Sequence, residues 1–233
     1  MAILNTRLSL TETPGDRQAC DAAVPQSEIA GLYDKLSRFY DLWAGLTETK
    51  ARRLALQMAD IQDGSTVLEV AAGTGLAFEQ IVRRNPQGKN VGIDLSSGML
   101  AKARKRLSNG KHENYSLTQG TANALALPDG SIDVLVNGYM FDLIPFETMD
   151  DILQEFKRVL KPSGKLVMVN MTVGRGFSST LYERIYRLFP KAMGGCRGVV
   201  LSERLQRLGF RVKTRAYVQQ FLFPSEVILA LNQ

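Results

Sequence analysis

The sequence contains one histidine and two cysteines in 233 residues. Cys20 and Cys196 are too few for a disulfide framework, and with a single histidine they do not make a zinc cluster, so we expect no metal site. The chain also lacks an apolar run of the roughly 18 to 20 residues that cross a bilayer. These absences argue against an integral membrane protein and a disulfide-stabilised one, and they favour a cytoplasmic location.

Positive charge is concentrated near the C-terminus. The formal net charge is +6, yet residues 175–215 alone hold about ten basic side chains against two acidic ones. A helix predicted over 178–189 places its basic residues on one stripe and its apolar residues on the other. Such a helix suits the anionic inner face of a membrane, although a core helix with a solvated basic edge has the same pattern. Nucleic acid is disfavoured as a partner, because no RNA-binding motif accompanies the charge.

The spacing of apolar residues indicates the organisation of the chain. We expect a flexible tail over 1–25, a helical N-terminal segment over 26–62 and one α/β domain over 63–233. Five short β-branched runs lie at 66–71, 90–94, 115–119, 132–137 and 165–172, and two further strands are predicted at 209–217 and 219–230. Helical patterns separate most of the first five. This order predicts a doubly wound, seven-stranded, mostly parallel sheet of Rossmann-like type, with helices on both faces.

The most informative segment is Leu68-Glu69-Val70-Ala71-Ala72-Gly73-Thr74-Gly75, where a strand turns into a helix. Gly73 and Gly75 allow a sharp turn and leave the main chain bare, so a ligand can rest on it. Asp94 ends the next predicted strand, at a position where a carboxylate accepts the ribose hydroxyls of a bound nucleoside. Strand, turn, helix and terminal carboxylate together predict a nucleoside-binding site.

Two common nucleotide-binding fingerprints do not match. The dinucleotide pattern requires a third glycine three residues after Gly75, and that position is Phe78. Ser163-Gly164-Lys165 lacks the upstream glycine of a phosphate-binding P-loop. Dehydrogenases and nucleoside triphosphatases are therefore disfavoured.

The motifs resemble those of class I S-adenosylmethionine-dependent methyltransferases, in the branch of ubiquinone/menaquinone biosynthesis C-methyltransferases and bacterial phospholipid N-methyltransferases. The resemblance is carried by the 67–75 loop, by Asp94-Leu95-Ser96-Ser97-Gly98-Met99 and by Gly120-Thr121-Ala122. It implies a methyltransferase domain over 63–233, with S-adenosylmethionine as cofactor and S-adenosylhomocysteine as product. It also implies that the N-terminal helices over 26–62 form a lid, since Phe39-Tyr40-Asp41 resembles the family's lid element. The cofactor-binding residues that it implies are Tyr33, Tyr40, Glu69, Ala71, Gly73, Gly75, Asp94, Leu95, Met99, Thr121, Ala122 and Asn137.

Several of these residues allow a second interpretation. Tyr33 and Tyr40 lie on or beside an apolar helical face, so either can pack in the core. Asn137 either touches the methionine end of the cofactor or binds a strand end. Glu69 either binds the amino group or orients the glycine loop from beneath. Ala71 stands where the family more often has glycine. Alanine should be tolerated at this position unless φ is positive there.

The resemblance implies methyl transfer to a small hydrophobic or lipid-like acceptor, either a quinone precursor or a phospholipid head group. We expect the acceptor site to use elements at about 173–208, and loop position makes Tyr139, Asp142 and Arg175 candidate catalytic residues. The alternatives are a methyltransferase for another small molecule and a regulatory protein that binds the cofactor without turnover.

Overall fold

The computed structural model describes residues 22, 25–108, 110, 112–172, 196–220 and 223–233, with the backbone alone at 26, 27, 30, 35–40, 42 and 43. The helices are α1 (Gln26–Thr47), α2 (Thr49–Ala59), α3 (Phe78–Arg84), α4 (Ser97–Ser108), α5 (Phe146–Val159) and α6 (Ser202–Arg207), with a 3-10 turn at Phe141–Leu143. The strands are β1 (Thr66–Val70), β2 (Lys89–Asp94), β3 (Tyr115–Gln119), β4 (Ile132–Gly138), β5 (Leu160–Met171), β6 (Phe210–Gln220) and β7 (Phe223–Asn232).

The strands form one sheet in the order β3-β2-β1-β4-β5-β7-β6. The first five are parallel, whereas β7 runs antiparallel to both β5 and β6. The predicted doubly wound, seven-stranded, mostly parallel sheet is thus confirmed. The strand order reverses between β1 and β4, and sheets of this kind bind ligands at that point, beyond the carboxyl ends of the strands.

Two apolar layers cover the sheet. On one face, α5 buries Met149, Ile152, Leu153, Phe156 and Val159 in the cluster that contains Leu68 and Leu135. On the other face, the alanine-rich side of α2 packs in the cluster that contains Val67 and Val136. Each fully buried Leu, Ile, Val, Phe or Met side chain stabilises the fold by about 1.5–3 kcal/mol. The small side chains of α2 bring its backbone close to β5 and β7.

The start of β5 differs more from the prediction than the other strand boundaries do. The strand expected from Lys165 begins instead at Leu160, because Ile132 pairs with Leu160 and the next register pair is Val134 with Lys165. The intervening residues bulge out of the ladder, and Ser163 has a φ of +63°. Pro162 has no N–H to donate, which favours such a bulge. The strand therefore contains a turn between Leu160 and Lys165.

Candidate functional site

A cavity of about 340 Å³ opens beyond the carboxyl ends of β1, β2 and β4. Its walls come from these strand ends, from the loops after β3 and β4, and from α1. Eight of the twelve residues predicted to bind the cofactor line it: Tyr33, Ala71, Gly73, Asp94, Leu95, Met99, Thr121 and Ala122. A second, smaller cavity of about 50 Å³ shares Ala71 and Gly73 with it and is also lined by Glu69. The sequence motifs thus converge on one place in the fold.

The two loop glycines have different roles. Gly73 has a φ of +57°, and a Cβ built on it would meet no described atom within 4 Å, so its main chain is open to the cavity. Gly75 has a φ of +80°, and a Cβ there would lie 3.1 Å from the Cβ of Ala103 on α4. The prediction that both glycines bare the main chain for a ligand needs correction at Gly75, which does not line either cavity. Its missing side chain lets α4 pack against the loop.

Ala71 adopts a left-handed backbone conformation with a φ of +61°. An L-residue with a Cβ is disfavoured in this region by roughly 1–2 kcal/mol. The condition under which alanine is poorly tolerated therefore holds at this position. Because Ala71 lines both cavities, the strain lies in the wall of the site.

Asp94 joins the two loops of the cavity. Its Oδ2 accepts the backbone N–H of Gly73 at 2.7 Å, and its Oδ1 accepts the N–H of Ser96 at 2.8 Å. Burial raises the pKa of Asp94, while the hydrogen bonds from Ser96 and Gly73 oppose that rise. A carboxylate has about four acceptor positions, so these two bonds leave capacity for the hydroxyls of a ligand.

Glu69 is 4% exposed and lies on the α2 side of the sheet, in the second cavity. Its Oε2 has no hydrogen-bond partner among the described residues. Burial raises the pKa of Glu69 to about 8, the positive charge of Arg52 opposes the rise, and Asp94 adds to it. An unpartnered carboxyl oxygen beside a bare glycine loop can receive a cationic group. The prediction that Glu69 binds an amino group is compatible with this placement.

Arg52 and Glu48 also line the second cavity. Neither residue is predicted from the sequence as part of the site. An Arg52 Nη2 donates to Glu48 Oε2 at 2.7 Å, and both residues line the cavity with Glu69. Glu48 and Arg52 lie at the start of α2, and the packing of that helix on the sheet brings them into the same cavity as Glu69. No local motif could have indicated this, because the contact depends on the tertiary fold.

Asn137 lies behind the cavity and does not line it. Its Nδ2 donates to the carbonyl oxygen of Val70 at 2.9 Å, so it ties the end of β4 to the end of β1. Of the two interpretations of this residue, the strand-end contact matches the structure. The side chain of Tyr40 is outside the described part of the structure.

The three catalytic candidates are dispersed. Tyr139 lines both cavities with a φ of +52°, and its hydroxyl is 2.8 Å from the Ser225 Oγ. Asp142 is fully buried and lines neither cavity; both of its oxygens accept the Met171 N–H, at 3.0 and 3.1 Å. Burial raises the pKa of both Tyr139 and Asp142, which disfavours their charged forms. Asp142 is therefore corrected from an acceptor-site candidate to a structural residue, and Arg175 is outside the described residues.

Arg197 is a further residue that the sequence analysis missed. It is 2% exposed, and its guanidinium donates to the carbonyl oxygens of Asp142 at 3.0 Å and Ile144 at 2.7 Å. The adjacent Cys196 has its Sγ 3.6 Å from the hydroxyl of Tyr33 on α1. This segment therefore fixes the cavity wall after β4 and touches the helix on the opposite side.

Within the described ranges, no group of three His, Cys, Asp or Glu side chains is placed to hold a metal ion. No helix among those residues combines the length and apolarity needed to span a bilayer.

Comparison with known proteins agrees with this geometry. Residues 67–164 match the family described as Methyltransferase domain. The chain is 30% identical over 188 residues to a demethylmenaquinone methyltransferase of Shouchella clausii (strain KSM-K16), covering 78% of this chain and 77% of the relative. It is 31% identical over 153 residues to a ubiquinone/menaquinone biosynthesis C-methyltransferase of Hahella chejuensis (strain KCTC 2396), covering 63% and 61%.

The fold is shared with a solved S-adenosylmethionine-dependent methyltransferase from Aquifex aeolicus. That structure superposes with a TM-score of 0.59 at 18% identity, covering 90% of this chain and all of the other. The glycine loop, the Asp94 carboxylate at the end of β2 and the cavity between them occupy the position where such a sheet binds its ligand. The chain belongs to the class I S-adenosylmethionine-dependent methyltransferases, and it resembles the ubiquinone/menaquinone biosynthesis C-methyltransferases among them.

Proposed function

We propose that this methyltransferase transfers the methyl group of S-adenosylmethionine to a ring carbon of a quinone precursor. The observation that carries the proposal is the 30% identity to a demethylmenaquinone methyltransferase across 77% of that relative. The second relative named above also has a quinone pathway in its name. Both support a quinone precursor over a phospholipid head group.

The cavity residues fit the parts of the cofactor. Asp94 has acceptor capacity for the ribose hydroxyls, and Thr121 and Ala122 lie where the adenine would be held. Glu69 would receive the ammonium group, and Arg52 is the cation near it that could face the carboxylate. Burial of the unpartnered Glu69 oxygen costs free energy without a ligand, and a bound ammonium would remove that cost.

The remaining wall of the larger cavity suits an apolar acceptor. Ile29 of α1 and Leu143 and Ile144 after β4 line it beside Tyr139. Burying a ring and its prenyl chain against these side chains would contribute about 25 cal/mol per Å² of apolar surface. Such a wall would also exclude water from the reacting atoms.

S-adenosylmethionine supplies a methyl group bound to a positively charged sulfur. The chain's residues would mainly align the acceptor carbon with that group, and good placement can contribute up to about 7–11 kcal/mol. As the bond from the methyl group to the acceptor carbon forms, its bond to sulfur would break and S-adenosylhomocysteine would leave, while the proton of the acceptor carbon would pass to solvent. Neither Tyr139 nor Asp142 is suited to take that proton, because burial disfavours the charged form of both.

The test is methyl transfer from radiolabelled S-adenosylmethionine to a reduced short-chain demethylmenaquinone, with phosphatidylethanolamine vesicles and a thiol and amine panel alongside. We expect label in the quinol and a product mass increased by one methyl group. Label in the phospholipid alone would replace the proposed acceptor. Cofactor binding without label in any acceptor would favour the regulatory alternative.

Membrane association through the basic segment stays a prediction. The helix expected at 178–189 lies outside the described residues, so the structure does not test it. Co-sedimentation with vesicles that contain anionic lipid, repeated at raised salt, would measure it, since surface charge attraction falls with ionic strength.

A further inference from the structure

We propose that Asp34 and Asp41 are positioning residues for the cofactor, which hold α1 against the two loops of the cavity and slow the release of bound cofactor. Both carboxylates lie on α1, outside the motifs of the α/β domain. Each contacts a different loop, so one helix bridges the two halves of the site.

Asp34 contacts the turn that follows β2. Its Oδ1 accepts a short hydrogen bond from the hydroxyl of Ser96 and another from the N–H of Gly98 at 3.0 Å. The N–H of Ser96 in turn donates to Asp94, and the Ser96 Oγ accepts the N–H of Met99 at 3.0 Å. Ser96 therefore links Asp34 by hydrogen bonds to Asp94, the carboxylate that faces the ribose position.

Asp41 contacts the glycine loop. Its Oδ1 accepts the hydroxyl of Thr74 at 2.5 Å, and its Oδ2 accepts the Arg106 guanidinium at 2.6 Å. Arg106 also donates to the carbonyl oxygen of Thr74 at 2.9 Å. Thr74 is 1% exposed and lies between Gly73 and Gly75. The loop is therefore held from outside by a carboxylate and an arginine together.

The spacing of the two carboxylates explains how one helix reaches both loops. Residues seven apart are about two turns apart and lie on the same side of a helix. Ile29 and Tyr33, from the same helix, line the cavity itself. The helix therefore both walls the cavity and bonds to the loops beside it, so a ligand that enters or leaves along this wall has to displace α1.

The positions of the two carboxylates suit them to slow the dissociation of bound cofactor. Their bonds form between α1 and the loops, and they break when the helix lifts. Hydrogen bonds to charged groups are stronger than neutral ones, and removing one accelerates dissociation roughly tenfold or more if it must break first. Association should change less, because we expect the ligand to enter while these bonds are broken.

The experiment measures the dissociation and association rates of S-adenosylhomocysteine by stopped-flow competition with the full chain. The variants are Asp34→Ala, Asp41→Ala and the conservative Asp34→Asn and Asp41→Asn. The control is Glu28→Gln, which removes an exposed carboxylate from the first turn of the same helix. Melting of the ligand-free protein is recorded for each.

We expect each alanine variant to release S-adenosylhomocysteine roughly tenfold faster with an association rate within about threefold of the parent. The asparagine variants should release S-adenosylhomocysteine at rates between those of the parent and the alanine variants, since their amide oxygen still accepts a hydrogen bond. The control variant should release it at the rate of the parent. Release within twofold of the parent in all four variants would overturn the proposal. A lowered melting temperature with unchanged release would assign the carboxylates to stability alone.

Discussion

The backbone N–H of Gly73 donates a 2.7 Å hydrogen bond to the Oδ2 of Asp94, which joins the glycine loop to the turn after β2. The two loops that face the cofactor are therefore held together by the same carboxylate that is predicted to bind the ribose. A site arranged in advance loses less conformational entropy when a ligand binds. The carboxylate thus has a structural task and a binding task.

Two replacements of Asp94 test these roles. Asp94→Ala removes both the contact with the glycine loop and the contact with the ribose, and we expect the binding free energy of S-adenosylhomocysteine to weaken by about 1.5–3 kcal/mol, the range for a charge-assisted bond. Asp94→Asn retains one acceptor oxygen and should lose less. Titration calorimetry measures both, and circular dichroism checks folding. Unchanged affinity in a folded Asp94→Ala protein would contradict the assignment.

Glu69 should make cofactor binding depend on protons. Its pKa of about 8 means that it is largely protonated at pH 7 in the free protein, and a cationic ammonium group would ionise it. We therefore expect binding of S-adenosylmethionine to release protons at pH 7. Calorimetry in two buffers of different ionisation enthalpy measures that number, and Glu69→Gln is the control that should lower it.

The same pKa has a consequence for stability. Because burial raises the pKa of Glu69 in the folded state, the folded protein binds more protons than the unfolded one between about pH 4.5 and 8. This contribution to the free energy of unfolding is complete below about pH 4.5 and disappears as pH rises through 8. Urea unfolding of the ligand-free parent and of Glu69→Gln across this range should therefore differ most at pH 8, where the variant is the more stable.

Ala71 offers a test of local strain. With a φ of +61°, it should tolerate glycine well, since the strain relieved and the added freedom of the unfolded chain nearly cancel. A β-branched residue cannot adopt this conformation without a larger penalty. We expect Ala71→Gly to change the free energy of unfolding by less than about 1 kcal/mol and Ala71→Val to lower it by at least about 2 kcal/mol. Equal stability of the two variants would argue against a left-handed conformation.

Arg197 should be important for stability. Arg197→Met leaves buried carbonyl oxygens of Asp142 and Ile144 without their donor, and at about 1–3 kcal/mol for each unsatisfied group the loss should reach about 2–6 kcal/mol. Arg197→Lys keeps the charge but not the planar fork, so we expect an intermediate loss. The matched control is Arg83→Met, whose partner is Glu79 on the exposed side of α3 and whose loss should stay within about 1 kcal/mol. Urea unfolding compares the three.

The sheet and the cofactor loops could be predicted because their signals are local. The runs of β-branched residues between helical patterns correspond to β1 to β5, and Asp94 is the last residue of its strand, as the motif requires. The backbone conformation of Ala71 could not be predicted, since alanine carries no sign of a positive φ. Glu48, Arg52 and Arg197 reach the site or its wall only through tertiary packing.

Asp142 shows the opposite difficulty. Its place in a loop after a strand favoured an accessible role, yet the chain folds so that its carboxylate is covered by the Met171 N–H and lies near Arg197. Whether a loop carboxylate faces solvent, a ligand or the core depends on contacts far away in sequence. A motif search cannot distinguish these cases.

The different surroundings of Gly73 and Gly75 indicate how relatives that have lost nucleoside binding could be recognised from their sequences. A descendant that no longer used a nucleoside could place asparagine at position 73, because that residue tolerates a positive φ and the space there is open among the described residues. Position 75 would still require glycine, since any side chain would press on Ala103 of α4. A glycine at position 75 therefore indicates that the fold is retained, whereas a glycine at position 73 indicates that a ligand still binds there.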